Sequence, residues 1–65
     1  MRTQKERALR EFKLAEDRFS GAAIVIAGKV AFEGKPPTEA ELEEYRAATK
    51  ALVAALGEYA KTIKM

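Results

Sequence analysis

The chain has 65 residues, no cysteine, no histidine and a formal net charge of +2. Those absences remove disulfides, thiolate zinc sites, the commonest metal ligand and the commonest general base, so they argue against an enzyme and against any metal or cofactor. Residues 1–65 read as one small domain in need of a staple; with 48% of its residues apolar the chain is no disordered tail, and the staple left to it is its own copy or a larger partner.

Residues from about 3 to 33 carry one helical pattern. Leu9, Phe12, Glu16, Phe19, Ala23, Ile26 and Val30 recur at alternating spacings of three and four, which is a heptad seam. Ala8, Ala15 and Ala22 repeat every seven residues beside it, where small side chains permit close helix approach. Ser20-Gly21 is an alternative break, because serine caps helices well and glycine weakens a helix interior. The continuous helix is the preferred reading.

The bend at 34–37 organises the rest. Gly34 accepts the left-handed conformation that ends many helices. Pro36 and Pro37 lack backbone N–H groups and disfavour helix in the residues before them. Thr38 then restarts a helix, and Thr38 with Glu41 has the spacing of a capping box. Glu39, Glu41, Glu43 and Glu44 put negative charge at the positive end of its dipole. So short a link makes the two helices antiparallel neighbours.

The second helix runs over about 38–63, with Leu42, Tyr45, Thr49, Leu52, Leu56, Tyr59 and Ile63 as its seam and Ala48 and Ala55 beside it. Folding at the bend sets Phe12 near Tyr59, Phe19 near Leu52 and Ile26 near Tyr45. The expected fold is therefore all-α: an antiparallel two-helix hairpin that self-associates into a four-helix or larger bundle.

Self-association is expected because the first helix is apolar on more than one side. Leu14, Gly21, Ile24, Val25, Gly28 and Phe32 lie away from the seam, and burying one Val or Phe is worth about 1.5–3 kcal/mol. A contiguous exposed apolar patch of this kind marks association, with glycines admitting a second backbone. The patch lacks the dense basic border of a membrane-surface helix. Its longest nearly apolar run, Phe19 to Phe32, is too short for a membrane span, and the charged first eighteen residues do not read as a secretory signal. A cytoplasmic protein is the expectation.

Charge is unevenly placed. Arg2, Lys5, Arg7, Arg10, Lys13, Lys61 and Lys64 gather at the open end of the hairpin, and Glu33 with the four glutamates of residues 39–44 gathers at the bend. Three readings follow. The surface is simply solvated; or two hairpins with bends at opposite ends neutralise each other; or the basic residues Arg2, Lys5, Arg7, Arg10 and Lys13 contact phosphates of RNA or DNA. Glu16 on the seam reads as a half-wet or register-setting carboxylate rather than a catalytic or metal-binding one. Tyr45, Thr49 and Tyr59 read as core with polar tips rather than as a ligand pocket.

Length and hairpin layout resemble the plasmid-encoded RNA-modulator hairpins, which pair into four-helix bundles and bind RNA loops. The resemblance is architectural, and no residue pattern of their RNA-binding face is present to carry over. The functional expectation is a non-enzymatic protein-interaction module, a regulator, adaptor or inhibitor, acting through an apolar helical face and self-association. The alternative is a nucleic-acid-binding hairpin using the basic open end.

Overall fold

Each of the two helices begins at a threonine, and the local chemistry explains why. The computed structural model describes residues 3–63; Arg2 and Lys64, named above, lie outside them. Helix α1 spans Gln4–Gly28 and passes directly into a wider π turn, Lys29–Glu33; helix α2 spans Glu39–Ile63. Ser20-Gly21 sits inside α1 without a break. At the start of α1 the Glu6 N–H donates to Thr3 Oγ1 (3.1 Å) and the Thr3 N–H donates to the Glu6 carboxylate (2.9 Å). The same box recurs at α2: the Thr38 N–H donates to Glu41 (2.7 Å) and the Glu41 N–H to Thr38 Oγ1 (3.2 Å). Each satisfies two donors that the first helical turn leaves without partners.

Gly34 ends the first rod in the left-handed region, at φ 65° and ψ 26°. Its N–H and that of Lys35 both donate to the Lys29 carbonyl, the latter at 3.2 Å. That convergence requires the widened last turn, since an α-helical turn offers each carbonyl to the residue four on. Extended backbone through Pro36 and Pro37 then delivers Thr38 to its capping position.

The seam is rotated from the one expected. The large residues Phe12, Phe19 and Ile26 of α1 do face α2, but the positions between them are Ala8, Ala15, Ala22 and Lys29, all half-buried. Glu16 and Val30, assigned to the seam from spacing, are exposed, as are Leu56 and Ile63 of α2. On α2 the facing residues are Glu41, Tyr45, Ala48, Leu52, Ala55, Tyr59 and Thr62; Ala48 is fully buried. Phe12 stacks on Tyr59 with centroids 6.1 Å apart, as the register implied. Phe19 meets Tyr45 at 5.4 Å, the residue one heptad nearer the bend than Leu52. The physical reason for the rotation is approach distance. Alanine lets the two helices close up around the aromatic knobs, whereas Leu9 and Val30 on the centre line would hold them apart and Glu16 would lose its water.

The result is a rod, 46 × 17 × 16 Å, with a radius of gyration of 14.7 Å. A compact chain of this length has a radius of about 10.7 Å. Ala48 alone counts as buried among the described residues, and the chain exposes 5195 Å². A folded monomer of this mass exposes about 4,100 Å², leaving an excess of about 1,100 Å².

Candidate functional site

Two separate apolar faces flank the seam. The first is the outer side of α1. Leu14, Gly21 and Gly28 form one heptad line there, Val25 and Phe32 the next, with Ile24 between that side and the back of the helix. Ile24 is 70% exposed and Phe32 89%; Leu14, Val25 and Gly21 are also exposed, and Gly28 is half-buried. A methyl group at Gly21 or Gly28 would touch nothing within 4 Å. Packing within the hairpin therefore does not explain either glycine, each of which weakens the helix by about 1 kcal/mol relative to alanine.

The second face is made of residues that spacing alone assigns to the seam and that the structure turns outward. Leu9, Ala23 and Val30 on α1 and Leu42, Thr49, Leu56 and Ile63 on α2 line one flank of the hairpin. In an antiparallel pair these two heptad lines fall on the same side of the contact. Val30, Leu56 and Ile63 are about half exposed, and Val53, one line further round α2, is 64% exposed. Leu9 and Leu42 are half-buried under them. Thr49 adds little polarity, since its hydroxyl donates to the Tyr45 carbonyl at 2.8 Å. Glu16 is the one charge on these two heptad lines, which Arg46 and Lys13 border.

The opposite flank carries the ion pairs, on the heptad line that Arg18 shares with Val25 and Phe32; Val25 there lines a shallow groove with Ala40, Glu41 and Glu44. Arg18 makes a two-pronged pair with Glu44, at 2.8 and 2.9 Å. The guanidinium holds the Glu44 carboxyl below the usual range, and the carboxylate raises Arg18 in turn. Near the bend, Lys29 reaches both oxygens of Glu41 at 3.1 Å, with each side chain 23% exposed. Glu41 thus closes the cap and ties α2 to the π turn. The Thr38 N–H first, then the Lys29 amine, hold its carboxyl below the ordinary glutamate value. Neither pair was visible from spacing alone. The rotated seam puts Lys29 opposite Glu41, and the expected one did not.

At the open end, Lys5, Arg7, Arg10 and Lys13 are exposed, and none enters an ion pair among the described residues. Steps of two and three residues turn successive side chains by about 200° or 300°. Arg7, Arg10 and Lys13 follow one another at i, i+3 spacing and are neighbours along one side of α1, while Lys5 lies apart from them. Tyr45 and Thr49 border an open groove with Arg46, Lys50 and Val53. Among the described residues no three acidic side chains gather at metal-binding spacing, and no helix is long and apolar enough to cross a membrane.

Comparison with protein-family models, with characterised proteins and with solved structures returns no match for this chain.

Proposed function

We propose that this chain is a non-enzymatic interaction module: a helical hairpin that self-associates into a bundle and presents an apolar helix face to another protein, as a regulator, adaptor or inhibitor does. The observation that carries the reading is the ratio of core to exposed grease. Among the described residues one small side chain, Ala48, is buried, while eight large apolar side chains are half or more exposed. Each such side chain is worth about 1.5–3 kcal/mol on burial, against a total stability of about 5–15 kcal/mol for a whole protein. Association is the means by which a rod of this kind recovers that energy. The face for a protein partner is Leu14, Ile24, Val25 and Phe32, with Gly21 and Gly28 admitting close approach.

Sedimentation equilibrium tests the reading. A species of at least twice the chain mass of 7.2 kDa is expected at micromolar concentration, and a sharp monomer at several hundred micromolar would refute it. Nucleic-acid binding through Arg2, Lys5, Arg7, Arg10 and Lys13 is the less favoured reading. Arg7, Arg10 and Lys13 cover about two turns of one helix, a short track for a phosphate backbone, and no exposed aromatic interleaves with them. A low-salt gel shift that vanishes steeply with added salt would reverse that order.

A further inference from the structure

We infer that the flank built from Leu9, Val30, Leu42, Leu56 and Ile63 is the surface that receives a second copy of this chain, with the two hairpins inverted so that each bend lies at the other's open end. The inference rests on the self-association reading above and assigns it a face and an orientation.

Three observations on the flank favour a second copy as its occupant. The first is pattern. Each helix has an apolar stripe three heptad lines wide, and a two-stranded seam uses only two; the third line is the mark of a helix with a further helical neighbour. On α1 the third line is Leu9, Ala23 and Val30, and on α2 it is Leu42, Thr49, Leu56 and Ile63, all on one flank. This part of the surplus, distinct from the Leu14, Ile24, Val25 and Phe32 face, lies where one straight, rod-like neighbour of equal length covers both helices at once.

The second is area. One long side of a 46 × 17 × 16 Å rod has a projected area of about 780 Å², close to the roughly 800 Å² that each partner gives up in a stable interface of standard size. A copy of the same 46 Å rod spans the flank from end to end.

The third is charge, and it fixes the orientation. Residues 29–44 around the bend sum to −3, while residues 3–13 with 58–63 at the open end sum to +2. A face-to-face pair related by a two-fold axis has two arrangements. With bends together, α1 of one copy lies on α2 of the other, Val30 opposes the second copy's Leu42, and −3 meets −3. With bends apart, α1 lies antiparallel on α1, Leu9 opposes the second copy's Val30, Leu42 opposes the second copy's Ile63, and each acidic bend meets a basic end. Opposite potentials select the inverted pair. Inversion also leaves Leu14, Val25 and Phe32 outside the contact, free for a different partner.

The native chain has no cysteine, so introduced cysteines report without background. Chains carrying Leu9→Cys and Val30→Cys are mixed and mildly oxidised. A cross-linked heterodimer is expected, and none from Val30→Cys mixed with Leu42→Cys. The reverse result overturns the orientation. The face is tested by sedimentation of Leu56→Glu and Val25→Glu beside the native chain. Leu56→Glu is expected to raise the dimer dissociation constant at least 100-fold and Val25→Glu to leave it within threefold. If Val25→Glu dissociates the dimer and Leu56→Glu does not, the flank assignment is wrong while self-association stands. If the native chain is itself monomeric, both fall together. Should Leu56→Glu fail to fold, the paired cysteines still decide, since a pair seated on another face traps neither combination.

Discussion

Replacing Ala48 by leucine should destabilise the hairpin sharply, because the rotated seam leaves no room there. Ala48 has 0% exposure and lies between Tyr45 and Leu52, at the heptad position that lets α1 approach. Leucine adds three carbons on the contact line. Overpacking of this kind costs about 1–3 kcal/mol, and a middle value of about 2 kcal/mol lowers the melting temperature of so small a domain by roughly 8–16 °C. Far-UV circular dichroism during heating and urea titration measures it, at one fixed chain concentration because assembly makes melting concentration-dependent. Ala54→Leu is the matched control: the same chemical change at an exposed position of the same helix, expected within about 0.5 kcal/mol of native. Ala48→Gly brackets the argument from the other side, costing about 1 kcal/mol of helix propensity. Equal behaviour of Ala48→Leu and Ala54→Leu would show that the alanine line does not set the approach of the helices, and the seam described above would be wrong.

Other expectations are smaller. Thr38→Ala removes the hydroxyl that accepts from the Glu41 N–H and should lose about 1 kcal/mol in urea unfolding; an unchanged midpoint would mean the box is not formed in solution. Gly34→Ala keeps open space around the new methyl but forces an L side chain to φ 65°, a backbone cost of about 1–2 kcal/mol. Gly28→Ala should do the opposite. It stabilises the isolated helix by about 1 kcal/mol, and a simultaneous loss of partner binding would mark the glycine as part of a contact. Acid should weaken the fold. Glu41, Glu44 and Glu6 are held below the ordinary glutamate value of 4.5, so their contribution is complete above that pH and is lost as pH falls through their lowered values. The double variant Glu41→Gln, Glu44→Gln should flatten the decline below pH 4.5; an identical acid limb in both proteins would count against the two pairs.

The hairpin was legible because its signals are local. Two prolines after Gly34, then threonine three residues before Glu41, leave the backbone one course through residues 34–38, and strong caps fix where each rod starts. The box at Thr3 and Glu6 has the same spacing, but it escapes a reading that follows only the apolar periodicity of α1. The ion pairs were hidden for a different reason. Arg18 with Glu44, and Lys29 with Glu41, depend on how far each helix is rotated about its own axis, and rotation is a tertiary quantity that periodicity fixes only to within one heptad line.

Rotation was ambiguous because two heptad frames share their largest members. Phe12, Phe19 and Ile26 belong to both; the frames differ in whether the line of Ala8, Ala15 and Ala22 or the line of Leu9, Glu16 and Val30 accompanies them. Ranking by hydrophobicity chooses Leu9 and Val30, and on α2 it chooses Leu42, Leu56 and Ile63 over Ala48 and Ala55. Close approach chooses the alanines. A two-helix contact has one centre line and so admits one of these choices. The choice that a lone hairpin makes leaves the greasier line on its flank, with Glu16 the only charge interrupting it. In the inverted pair proposed here both choices are satisfied together: alanines bring the helices of one hairpin close, and the leucine–isoleucine line fills the space between hairpins. Under that arrangement Glu16 sits near the middle of the rod opposite the second copy's Ala23. Glu16→Leu should therefore tighten the dimer by about tenfold, the equivalent of about 1.4 kcal/mol, while moving the unfolding of a monomeric Leu56→Glu background by less than about 0.5 kcal/mol. Concentration-dependent sedimentation of the two proteins separates those effects, and a Glu16→Leu chain that dimerises no better than native would place the second copy somewhere other than this flank.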